Sequence, residues 1–296
     1  MEGTLDIQFR EGLTTEQRNV AEASVRAMLA RHTAEGAAAS LRRQQKDEFR
    51  QRVVDRLGKL ILEDPAVAAT LTAATQSRLR SEALSLDGVP VQMESRLALP
   101  PAGPTPFTLA IPIEPPFDYT WQYRLPNSGP PHQSIADVDG NLILNAMSDH
   151  IVGGVDTFVN VHCGVGCSFK LSHTASVKLN ADMDFRYKFL VDCTGIGGYA
   201  SVDGGVDAAL MRGSEAIMIA TAPVYHRRIS GYEDAQMDVP FAPLHYPNGI
   251  ASQVEPGTYA FNLGIWAVSD YGNGVGQSAA QSSCQARVRK MLIVAV

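Results

Sequence analysis

The densest run of reactive side-chain types is His162-Cys163-Gly164-Val165-Gly166-Cys167, with His173 six residues further on. Thiolates and imidazoles are the ligands of zinc, so Cys163, Cys167 and His173 are the candidate metal ligands. The Cys-x3-Cys spacing is wide for a structural site, and the remaining cysteines, Cys193 and Cys284, do not form a second pair. On an extended strand Cys163 and Cys167 would lie roughly 13 Å apart, so one ion requires a tight turn at Gly164 and Gly166. The competing reading is reduced thiols buried on a core face. No cofactor follows from the sequence.

Three further groupings bear on chemistry. Asp137-Val138-Asp139-Gly140-Asn141 resembles the start of a calcium loop, but Gly comes one place early and position twelve is Ser148. A type I′ hairpin turn at Asp139-Gly140 accounts for the same residues. Asp182 and Asp184 are two apart on one strand face, roughly 7 Å from each other, which overlaps the separation of glycosidase carboxyls. Lys178, Arg186 and Lys188 share that face, as on any solvated strand. Finally Tyr225, His226, Arg228, Tyr232, Glu233, His245 and Tyr246 gather aromatic, imidazole, guanidinium and carboxylate groups in stretches that read as loops. That mixture suits a glycan or another surface ligand, and these seven are the candidate binding residues. The Gly-x-Ser-x-Gly elbow is missing, and Gly195-Ile196-Gly197-Gly198 lacks the spacing of a nucleotide loop. No catalytic residue is assigned.

Those residues need elements to position them. The 296 residues carry 25 basic and 31 acidic side chains, a net charge of −6, with 45% hydrophobic residues. Disorder is excluded, and a nucleic-acid partner bound through a broad basic surface is not expected. No apolar run reaches the length of a transmembrane helix, so no membrane helix is expected. MEGTLDIQFR at the start has no basic and apolar leader. The sequence therefore predicts cytoplasmic synthesis, with incorporation into a particle or non-classical release left open.

Composition changes near residue 90. Of the 25 glycines and 17 prolines, 20 and 15 fall after it, and the net negative charge lies wholly there. Residues 1–90 read as a helical docking or oligomerisation segment. Thr14 with Gln17 has the form of a capping box, and Val20, Ala23, Ala27 and Met28 follow at helical spacing. A second helix is predicted over 38–62, with Phe49, Val53, Leu57, Leu60 and Ile61 on one stripe. Asp64-Pro65 starts a third, running toward Ala83.

Residues 91–131 form a proline-rich strap whose many aromatic and aliphatic residues should lie along the next domain, with Phe117–Tyr123 as a first strand. Residues 132–296 read as antiparallel β. From Val177 to Val191 every odd position is apolar, and the same parity runs upstream through Val165, Cys167, Phe169 and Leu171. A turn near Ser172–Thr174 must therefore hold an odd number of residues. Ala216–Ala222, apolar on both faces, predicts a central strand, and Arg287–Val296 a final, buried one.

The fold class expected is α+β: a helical N-terminal segment followed by an antiparallel, jelly-roll-like β-sandwich. The function expected is non-enzymatic. It is a structural or adhesive protein that forms a homo-oligomer or larger assembly through its N-terminal helices and presents β-sandwich loops. One alternative is a β-pore using the amphipathic 165–191 stretch, the one reading that brings a membrane partner. Another is a hydrolase of glycans, with acids drawn from Asp182, Asp184, Glu233 and Asp234.

Overall fold

A computed structural model describes residues 4–31, 109–124, 133–149, 158–272 and 278–295, with single positions at 34, 56, 65, 66 and 69. Apart from those single positions, the helices expected over 38–62 and 65–83 lie outside the described residues. So do 91–108 and 125–131 of the expected strap.

The chain is mostly antiparallel sheet. In order the strands are β1 (Thr4–Phe9), β2 (Leu109–Ile113), β3 (Tyr119–Arg124), β4 (Gln133–Ala136), β5 (Asn141–Asp149), β6 (Phe158–Leu171), β7 (Ala175–Arg212), β8 (Glu215–Val254), β9 (Gly257–Gly272) and β10 (Ser278–Ala295). They form one sheet in the order β1-β3-β6-β9-β7-β10-β5-β4, with β2 added to β10 and β8 to β7. Among the described residues one continuous helix, α1 (15–31), follows β1.

The sheet curls because β7 belongs to both of its arms. Val177–Cys193 pairs with β10, whereas Tyr199–Met211 pairs with β9. The register breaks between Gly195 and Tyr199 opposite Gly231 and Ser230 of β8, and there the β7–β8 hairpin passes from one arm to the other. The arms face one another. Ser134 Oγ on β4 donates to the His162 carbonyl on β6 at 2.7 Å, and Ser269 Oγ on β9 donates to the Ala146 carbonyl on β5 at 2.9 Å. Between them lies the main core, including Val165, Cys167, Phe169, Leu171, Val177, Leu179, Met183, Phe185, Phe189 and Val191. The odd-numbered apolar row is therefore buried, and the 172–174 connection does hold three residues. The face that a pore strand would turn to lipid faces this protein's own core instead.

Three differences from the sequence reading have physical causes. Residues 4–9 form a strand rather than part of a helical segment: Leu5, Ile7 and Phe9 alternate with polar residues and pair with β3. Ala216–Ala222 sits in β8, which pairs only with β7 among the described residues, so it is an edge and not a central strand. Ile217, Met218, Ala220 and Ala222 pack half-buried against the main core and Ile219 against the cluster on the other face, while Ala216 is exposed. The Asp139-Gly140 hairpin is wider than a two-residue type I′ turn. Gly140 N–H donates to the Asp137 carbonyl at 3.1 Å, Gly140 has φ +88°, and the Asp137 carboxylate accepts from the Asn141 backbone and side-chain amides at 2.9 Å. This is the three-residue type with glycine in the left-handed region. Both Asp137 oxygens are spent closing the turn rather than on a cation.

α1 begins as its sequence requires. Gln17 N–H donates to Thr14 Oγ1 at 3.2 Å, and Thr14 N–H donates to Gln17 Oε1 at 3.0 Å, a reciprocal capping box. Thr14→Ala is expected to lower stability by about 1 kcal/mol, read as a shift in urea midpoint with unchanged slope. The buried stripe is Ala21, Ser24, Val25, Met28 and Leu29, turned one position from the expected one. It packs on the outer face of the sheet against Tyr119, Trp121, Tyr123, Ala209 and Met211. A buried polar chain ties it down: Tyr119 hydroxyl to Asn262 Oδ1 at 2.6 Å, Asn262 Nδ2 to Ser24 Oγ at 3.0 Å, Ser24 Oγ to the Ala21 carbonyl at 2.8 Å.

Five glycines inside these strands are seats for aromatic rings. Trp121 is directly opposite Gly164, which is opposite Gly264. A Cβ at either glycine would come within 2.5 Å of the Trp121 ring. Tyr119 over Gly166, Tyr225 over Gly204 and Tyr199 over Gly272 repeat the arrangement in directly paired positions. Glycine weakens a strand by itself, but a cross-strand ring covers the bare backbone and restores the lost contact.

Candidate functional site

Alternation along β6 separates the expected metal ligands. Cys163 and Cys167 are both buried in the inner core, four residues apart on an unbroken strand, and so roughly 13 Å apart. The tight turn that a shared ion needs is absent, because Gly164 and Gly166 lie within the β6 ladder beneath Trp121 and Tyr119. His173 is exposed in the 172–174 connection, its Nδ1 at 3.0 Å from Ser172 Oγ. Burial pushes the Cys163 and Cys167 thiols well above their ordinary range, with neighbouring Cys284 and Asp118 respectively adding to the shift. A thiol held protonated must give up that proton before it can bind a metal, so this environment opposes ligation. Among the described residues no group of three His, Cys, Asp or Glu side chains is placed to hold an ion.

His162 points the other way, to the face that carries α1. Its Nδ1 lies 3.7 Å from Asp207 Oδ2, and both side chains are almost wholly buried. The ring of Tyr123 meets it edge-on at 6.0 Å. Sequence reading grouped His162 with the cysteines. Only the strand period, applied with β6 already known, separates them and brings His162 to a carboxylate 45 positions away.

The seven candidate binding residues all fall on β8, which is a continuous strand and not a set of loops. Its glycines, prolines and polar residues read as turn signals because an edge strand has little to bury. The structure does not gather the seven into one site. Tyr225 belongs to the core: its ring stacks on Tyr187 at 4.6 Å and its hydroxyl bonds to Ser282. Burial, with the nearby Cys284, holds that hydroxyl well above the usual phenol range. His226 is exposed and bonded to Asp203 through Nδ1. Arg228 lies over the Tyr199 ring at 4.0 Å. Tyr232 is 60% exposed, Glu233 is exposed, and His245 Nδ1 reaches Asp182 Oδ1 at 2.8 Å. The Tyr246 side chain is outside the described residues.

The acids considered for hydrolysis are separated by their partners. Asp182 is held by His245, and Asp184, largely buried, by Arg289 at 3.2 Å. Arg186 and Lys188 share Asp238 at 3.6 and 3.8 Å. Successive carboxylates on the outer face of β7 thus meet bases on flanking strands, which makes a ladder of cross-strand ion pairs. The exposed pairs contribute a few tenths to about 1 kcal/mol each, and those of Asp182 and Asp238 tie β7 to β8. Chemically, the hairpin offers a long, charged surface, the exposed ring of Tyr232 and a strand edge left open among the described residues.

No protein family and no curated protein matches the chain by sequence. Among solved structures, it is similar to a chain in the structure of infectious bursal disease virus, Gx strain. That match has 13% identity over 67% of this chain and 40% of that one, with a TM-score of 0.19. A chain in the Gt strain structure gives 12% identity, 67% and 57% coverage, and the same TM-score. This chain therefore spans about two fifths and just over half of the lengths of those two. Neither likeness is close enough to transfer a fold or a role.

Proposed function

We propose that the chain is a non-enzymatic structural protein that assembles with copies of itself, built on a two-layered, jelly-roll-like β-sandwich. The observation that carries this reading is the β7–β8 hairpin, whose outer strand of 40 residues is paired on one side only among the described residues. Pro223, Pro240, Pro243 and Pro247 interrupt this edge, but its run 224–239 contains no proline, and an unpaired edge of that kind is a template for another strand. The facing arms and their shared core support the sandwich. The outward ladder of ion pairs supports a surface used for contact rather than a converging acid–base site.

The docking role expected of the N-terminal segment is not carried by α1, whose apolar stripe is spent on its own sheet. Removing residues 1–90 would therefore strip β1 and α1 from Trp121, and loss of solubility would say nothing about assembly. The full chain is the right material. Light scattering behind a sizing column should give a defined oligomer or a polymer, with mass rising with concentration. A monomer throughout the micromolar range would overturn the proposal.

A further inference from the structure

Granting that the chain self-assembles, we infer that β8 pairs antiparallel with β8 of a second copy about a two-fold axis through Ser230. An antiparallel ladder made by two identical strands has two constraints. Residues opposite one another share a face of the sheet, and each pair off the axis occurs twice. With the axis at Ser230, Arg227 comes opposite Glu233 of the second copy, Arg228 opposite Tyr232, and His226 opposite Asp234.

The faces agree. Arg227 and Glu233 pair within the chain with the buried, inward positions Val202 and Cys193, so both lie on the inward side of β8. Arg228 and Tyr232 pair with Ser201 and Thr194 on the outward side. Arg227 and Glu233 are exposed and make no ion pair among the described residues. Tyr232, 60% exposed, would meet the Arg228 guanidinium that already lies over Tyr199.

Neighbouring registers lose this match. An axis at Ile229 sets Arg227 and Arg228 opposite Gly231 and Ser230. An axis at Gly231 keeps only Arg228 opposite Asp234. The Ser230 axis also falls where β8 passes between the arms, beside Gly231 with φ +82°. It therefore maps the bend of one copy onto the bend of the other, and both strands turn together. Strand addition of this kind draws affinity from main-chain hydrogen bonds and specificity from alternate side chains.

A cysteine at the axis tests the register directly. All four native cysteines are buried, so Ser230→Cys introduces the accessible thiol. The axis sets residue 230 opposite itself, with Cα atoms about 4.5–5.5 Å apart, within disulfide range. Mild oxidation with glutathione disulfide should give a covalent dimer for Ser230→Cys, and none for Thr221→Cys, which is exposed on the same strand but off the axis. Arg227→Glu and Glu233→Arg should each weaken self-association by about tenfold or more, and the double variant should restore it. If the chain oligomerises but Ser230→Cys does not cross-link, or both cysteines cross-link equally, pairing about Ser230 is wrong while self-assembly stands. Charge reversals without effect, or without rescue, also overturn it. A monomeric wild-type chain overturns both readings.

Discussion

Replacing Trp121 with alanine is expected to cost about 3–5 kcal/mol of folding stability, seen as a lower urea midpoint. The side chain is completely buried and belongs to the cluster that joins α1 to the outer sheet face. Its ring lies on Gly164 and Gly264, so removal uncovers two glycine backbones and undermines the helix together. Truncation leaves a void that strands fixed by ladder hydrogen bonds cannot collapse to fill. The converse change supports the same geometry. Gly166→Ala places a methyl against the Tyr119 ring, the group that all three nearest approaches involve, and overpacking of this kind costs about 1–3 kcal/mol. In a Tyr119→Ala background the same glycine change should cost less, with a coupling of about 0.5–3 kcal/mol. Additive effects would mean that the ring and the glycine do not share the site.

These pairs show what the sequence made legible and what it did not. The period-two rows from Val165 to Val191 identify the core face without any structure, because one-sided burial writes itself into alternate residues. The reciprocal Thr14–Gln17 cap is equally local. The aromatic seats are not local. Gly164 and Trp121 are 43 positions apart, and nothing in either neighbourhood names the other. Read alone, a glycine in a strand resembles a turn or a bulge, which is why Cys163–Cys167 looked capable of folding around an ion. The edge position of β8 is hidden for the same reason. Edge and centre differ in how many neighbours a strand has, and Ala216–Ala222 carries the apolar composition of a centre while its partners lie on one side only. The candidate binding residues are misread in the opposite direction, since an exposed strand has the composition of a loop.

Stability should fall steeply as pH rises above about 9, and part of that fall should vanish in Cys284→Ala. Burial raises the Cys284 thiol from 9.0 to about 12. The folded protein therefore holds this proton where the unfolded chain has released it. The stabilisation is complete below pH 9 and is lost as pH climbs toward the folded value, at about 1.4 kcal/mol per pH unit, to a total of roughly 4 kcal/mol. Cys163, Cys167, Tyr119 and Tyr225 are shifted in the same direction by burial, so their contributions have the same sign and add to the wild-type slope. Urea unfolding of wild type and Cys284→Ala between pH 8 and pH 11 reads this thiol together with its influence on neighbouring Cys163 and Tyr225. The stability difference should stay constant up to pH 9, then move steadily in favour of the variant. A difference that stays flat to pH 11 would mean that Cys284 ionises as easily in the folded chain as in the unfolded one. The native thiols should also resist alkylation at pH 8 until the chain unfolds, because the thiolate is the reactive form and burial suppresses it. Rapid native labelling of Cys163 or Cys167 would return them to consideration as ligands. Protection of both would leave the inner face of β6 as a packing surface, with the accessible polar groups on β8.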